Sequence, residues 1–149
     1  LDWFWVFDLP ADPSTIWKFI ADSSRMNRAL GMAEMTFVEK DGVRRGTARN
    51  GGVHHEWVEV PWSWVSGRWL TCTRIYEAGF SRVLYAIHRI EPLGTGTRLY
   101  LYFGAIPRSL VGAAALRLCH HLHNLREHRF ASDFLRRQRR RMTGCFTIV

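Results

Sequence analysis

Cysteine, proline and acidic residues are all scarce in this chain of 149 residues. Its three cysteines, Cys72, Cys119 and Cys145, are odd in number and share no metal-ligand spacing. Neither a disulfide framework nor a thiolate metal site is expected, and a reducing, cytoplasmic setting is. No apolar run approaches the roughly 18 residues that a membrane-spanning helix needs. A basic-then-apolar leader is missing too, and the chain opens at Leu1 directly in a strand-like run. We therefore expect a piece excised from a longer protein. There is no internal repeat, low-complexity linker or second domain, so 1–149 reads as one domain with 136–149 as a tail or linker. The 13 acidic residues face 21 Lys and Arg, for a net charge of +8. Five of the positive charges lie at Arg136, Arg137, Arg139, Arg140 and Arg141. One basic run at a helix end complements the helix dipole or is solvated, so nucleic acid is not the expected partner.

Aromatic residues and strand-forming stretches are abundant. Residues 3–9 read as a strand. Asp12 is placed as an N-cap with Pro13 at the first helical position, ahead of an apolar face of Ile16, Trp17, Phe19 and Ile20. Asp22-Ser23-Ser24 interrupts that helix and caps a second, short one closed by Gly31. Six strands follow, at about 35–39, 43–49, 54–60, 69–76, 80–90 and 97–105. Lys40-Asp41-Gly42 is a hairpin signal, Pro61 ends the third of these strands, and 62–67 is an aromatic-rich connection. Consecutive strands with short turns pair antiparallel. From about Ser109 to Arg141 a long helix is expected, with Val111, Ala114, Ala115, Leu118, Leu122 and Leu125 on one stripe facing the sheet. The fold class is α+β.

This order, together with Phe7-Asp8-Leu9-Pro10-Ala11-Asp12-Pro13 before Ile16-Trp17, Trp57-Val58-Glu59-Val60-Pro61 before Trp64, and Arg89-Ile90-Glu91-Pro92-Leu93, resembles the START-like or Bet v 1-like superfamily, also called SRPBCC. The resemblance covers nearly the whole chain. It implies a helix-grip fold, in which a seven-stranded antiparallel sheet curves around the long C-terminal helix over an apolar cavity. Asp22, Asn27-Arg28, Leu30-Gly31 and the Glu59–Trp64 string are similar to a bacterial subgroup lying N-terminal to class III adenylate or guanylate cyclase domains. That subgroup implies a regulatory domain of a cytoplasmic signalling protein, with a following catalytic domain in the same chain as partner.

The preferred function is binding of a small hydrophobic or amphipathic ligand. Two alternatives remain: a polyketide cyclase or aromatase-like enzyme, which requires an open pocket with a buried convergent polar pair, and a protein-interaction module with a filled cavity. Candidate ligand-binding residues are Trp57, Cys72, Tyr85, Tyr100, Leu118, Leu122, Leu125 and Arg129. Arg129 either leaves the sheet wet or holds a ligand carboxylate or phosphate at the cavity mouth. Phe130, Phe134 and Leu116 form a second apolar patch, for the first helices or for another subunit or a further domain. No catalytic residue, metal or cofactor is expected. The helical histidines His120, His121, His123 and His128 point in different directions, and Cys119, at the edge of the stripe, reads as an inert buried thiol.

Overall fold

A computed structural model describes residues 1–29, 32–50, 52–119 and 121. Seven strands form one antiparallel sheet: β1 (Asp2–Leu9), β2 (Thr36–Lys40), β3 (Val43–Asn50), β4 (Val53–Val65), β5 (Trp69–Ala78), β6 (Ser81–Leu93) and β7 (Gly96–Pro107). Their spatial order is β1-β7-β6-β5-β4-β3-β2, so every connection but one is a hairpin, and β1 closes against β7 from Asp2↔Gly104 to Leu9↔Thr97. The β2–β3 turn has Asp41 at φ 53° and Gly42 at φ 73°, the two left-handed positions of a two-residue hairpin that twists with its strands.

Helices α1 (Pro13–Ile20) and α2 (Ser23–Ala29) lie between β1 and β2. The start of α1 is fixed by Asp12, whose Oδ1 accepts from the Ser14 and Thr15 backbone N–H groups, each at 3.0 Å. The Ser14 and Thr15 hydroxyls, each donating to the same carboxylate at 2.6 Å, and after them these backbone bonds, hold the Asp12 carboxyl below the usual carboxylate range. Ile16 and Ile20, one turn apart, are 1% exposed against Leu9, Leu70, Ile90, Leu99 and Leu101. Burial of each such side chain is worth about 1.5–3 kcal/mol. Thr97, fully buried, donates to the Ala11 carbonyl at 2.7 Å and ties β7 to the approach of α1.

Two expectations are corrected. Pro61 does not end β4, and 62–65 continue it. Between Val60↔Thr73 and Ser63↔Thr71 the strand carries one extra residue, a bulge at which a missing N–H leaves no ladder bond unmade. The second concerns the C-terminal helix, helical over 110–119. Val111 is 74% and Leu118 59% exposed, and Cys119 is exposed rather than buried. The covered side carries Ala115 of the expected stripe, together with Gly112, Ala113 and Leu116. A side chain at Gly112 would collide with the Phe80 carbonyl, so the absence of one lets the helix start seat directly on the β5–β6 turn.

Candidate functional site

The buried residues of the strands alternate onto one face. They include Leu9, Ala48, Trp57, Glu59, Leu70, Cys72, Arg74, Ala86, His88, Ile90, Leu99, Leu101 and Ala105. This concave face carries α1 at one end. Beyond α1, on β3 to β6, it becomes polar in an unusual way. Glu59 and Arg74 are cross-strand partners, and Arg74 Nε donates to Glu59 Oε1 at 3.0 Å with side chains 8% and 1% exposed. Cys72 Sγ lies 3.5 Å from the same oxygen. Burial first, then the Glu59 charge, pushes the thiol up to about 11, with Arg74 opposing, so Cys72 is protonated and unreactive at neutral pH.

Trp57 supplies the wall of this cluster. It is 1% exposed, with the Arg74 guanidinium 5.1 Å from its ring centre, Phe37 edge-on at 6.0 Å and Tyr76 at 5.5 Å. Gly46 stands opposite it on β3, and a Cβ there would overlap the indole. His88 completes the set from β6. Burial, aided by the Arg74 charge, lowers it to about 4, so its imidazole is neutral at pH 7. A neutral imidazole has one donor and one acceptor nitrogen, and neither has a partner among the described residues. Trp57 Nε1, Trp62 Nε1, His55 Nε2 and Glu59 Oε2 share that condition.

A cleft of about 510 Å³ opens beside this cluster, lined by Trp17 of α1, by Ala21 just after that helix, and by residues of β2–β5 including Glu39, Arg44, Glu59, Trp62, Trp64 and Leu70. Its volume falls within the usual span of small-molecule sites.

The candidate residues read from sequence divide between the faces. Trp57 and Cys72 lie on the concave face, buried and together with Glu59 and Arg74. Tyr85 and Tyr100 lie on the convex face, where Tyr85 stacks edge-on with Tyr102 at 6.3 Å and the Tyr100 hydroxyl donates to Glu91 Oε2 at 3.0 Å. Leu118 is exposed on the helix. Leu122, Leu125, Arg129, Phe130 and Phe134 lie outside the described residues, as do His123, His128 and the Arg136–Arg141 run. Among the described residues no group of three or more His, Cys, Asp or Glu is arranged to hold a metal ion. Glu59, Arg74 and His88 were not singled out as ligand residues. The signal was in β5, where Leu70, Cys72, Arg74 and Tyr76 share one parity, so an arginine between a cysteine and a tyrosine must face inward with them.

A seven-stranded antiparallel curved sheet, two short helices after β1 and a C-terminal helix define the Bet v 1-like helix-grip fold. Solved structures of that fold superpose on nearly all of the chain. The Zhui aromatase/cyclase from Streptomyces sp. R1128 is 12% identical with a TM-score of 0.69, over 92% of this chain and 94% of that one. Ara h 8.0201 is 11% identical with a TM-score of 0.57, over 91% and 97%. StfQ, a di-domain ARO/CYC of the steffimycin biosynthetic pathway, is 10% identical with a TM-score of 0.63, and the match covers 92% of this chain and 51% of StfQ. No protein-family profile and no curated protein matches the sequence. At these identities the likeness defines the fold, and function must be argued from the site.

Proposed function

We propose that the chain binds a small, largely apolar molecule with a few polar atoms against the concave face of its sheet. One observation carries this reading. On a surface otherwise built from leucine, isoleucine, alanine and aromatic rings, Glu59 Oε2, Trp57 Nε1, Trp62 Nε1 and both His88 nitrogens are buried without hydrogen-bond partners among the described residues. Each such atom costs about 1–3 kcal/mol, and a ligand offering matched donors and acceptors removes that cost.

A second reading is favoured by the same cluster. An aromatase/cyclase-like enzyme requires a buried convergent polar pair, and Arg74–Glu59 beside a neutral His88 has that character. The imidazole is in the state that accepts a proton, and the guanidinium carries the kind of charge that stabilises an enolate oxygen. The sequence resemblance adds the wider setting: a regulatory module of a cytoplasmic signalling protein, ahead of a nucleotide cyclase domain, whose C-terminal helix relays ligand occupancy. Removing the module from such a longer chain should change catalytic output.

Native mass spectrometry of the purified chain, with organic extraction of what travels with it, tests the binding reading together with titration of a neutral fluorescent probe, N-phenyl-1-naphthylamine. A co-purifying molecule or saturable one-to-one probe binding is expected. A bare mass and no probe binding would overturn the reading and favour a surface that engages another protein.

A further inference from the structure

The cleft between α1 and the β2–β4 end of the sheet has its own chemistry. We propose that it recognises an organic cation, an amine or guanidinium carried on an aromatic body, and that Arg44 occupies the cation position in the free chain. The proposal rests on the ligand-binding reading above and gives the ligand's polar group a sign.

Three indoles, Trp17, Trp62 and Trp64, line the cleft together with the carboxylates of Glu39 and Glu59. Glu39 is exposed, and among the described residues no ion pair engages it. Glu59 is the more informative acid. Its side chain is 1% exposed, its Oε1 is taken by Arg74, and its Oε2 has no hydrogen bond. Arg44 Nε stands 3.3 Å from that free oxygen without satisfying it, while the guanidinium carbon lies 4.2 Å from the centre of the Phe37 ring.

The chain's own side chain thus shows what the position accepts: a planar cation between an aromatic face and a buried carboxylate oxygen. Arg44 is a loose occupant. Its side chain is 45% exposed, and it can withdraw to solvent without disturbing the β3 ladder, in which it pairs through backbone with Glu39 and Glu59. A ligand N–H aimed at Oε2 would make the bond that Arg44 leaves unmade. Its ring would meet the indoles, and Glu39 would face the same charge from the rim. An anionic ligand would instead need Arg44 as its partner, so the two signs predict opposite roles for one residue.

Calorimetric titration of the intact chain with phenylguanidine, benzoate and N-phenyl-1-naphthylamine reads the difference. The informative variants are Arg44→Ala and Glu39→Gln, both at half-exposed or exposed positions of the β2–β3 hairpin, with circular dichroism to verify the fold. Phenylguanidine is expected to bind more tightly than benzoate. Arg44→Ala should tighten phenylguanidine about threefold by removing its competitor, and Glu39→Gln should weaken it by a similar factor, the scale of a half-exposed ion pair. Tighter binding of benzoate, or weaker phenylguanidine binding in Arg44→Ala, would overturn the proposal. Binding of the neutral naphthylamine with neither charged probe bound would also overturn it while leaving the ligand reading intact. No binding of any probe would sink both.

Discussion

On the convex face Arg98 meets Asp8 through two parallel hydrogen bonds of 2.7 and 2.8 Å, with both side chains about half in solvent. On the concave face Arg74 meets Glu59 through one bond of 3.0 Å, with both out of solvent. The better geometry belongs to the pair that matters less. An exposed pair is screened and competes with hydration, whereas a buried carboxylate without its guanidinium is an uncompensated charge in a poorly polarisable setting. The bond from Arg98 lowers the Asp8 carboxyl and Asp8 raises the Arg98 guanidinium, yet neither shift becomes much stability where water can replace the partner. One sheet thus makes its outer charges cheap to alter and its inner charges expensive to separate.

The largest effect should come from separating the inner pair. Glu59→Ala leaves Arg74 buried and unpaired, and urea unfolding should show a loss of about 3–5 kcal/mol. The double variant Glu59→Leu with Arg74→Met should recover most of it while ligand binding is lost; a double variant as unstable as the single would mean that the pair does not act as a unit. The next effect is a pH dependence. His88 has a folded value of about 4 against an ordinary one near 6.5, so the unfolded chain takes up the proton first as the solution is acidified. Stability is fully present above about pH 6.5 and falls as pH drops toward 4, by about 3 kcal/mol in all. His55, lowered by burial and by His54, adds to the slope with the same sign. His88→Phe should flatten most of the slope, and an unchanged profile would place its origin elsewhere. The smallest effect belongs to the outer pair: Arg98→Ala should leave the urea midpoint at physiological salt within error, and a clear loss would erase the contrast between the faces.

Element order, the antiparallel sheet, the Asp12 cap and the Asp41-Gly42 turn were legible because each rests on local chemistry, a cap, a proline or a left-handed pair. The faces were harder. In β7 Leu99 and Leu101 alternate with Tyr100 and Tyr102, and both sets are apolar enough to face inward. The tyrosines lie outward because their hydroxyls find Glu91 and Asp2 at the surface, at 3.0 and 2.6 Å. The helix stripe was misjudged through size: periodicity rewarded Val111 and Leu118, while close seating on Phe80 required the glycine side. The inward side of Arg74 could be read from the parity of β5, but its partner could not, because only the register with β4 brings Glu59 opposite it.

The extra residue in β4 has a consequence of its own. Before it, odd-numbered side chains such as Trp57 and Glu59 face inward; after it, Trp64 stands opposite buried Leu70. The strand therefore changes phase midway, like a screw whose thread restarts, and its two halves address different parts of the interior. Substitutions before Val60 alter the polar cluster, and those from Trp62 onward alter the aromatic mouth. A single deletion at Pro61 would remove the extra residue and join the two phases into one alternation, with Trp62 and Trp64 still opposite the inward Cys72 and Leu70 but with the strand no longer kinked between them and Glu59. The bulge thus sets how the aromatic mouth is angled against the polar cluster, a relation that no single side-chain change in either half of the strand alters.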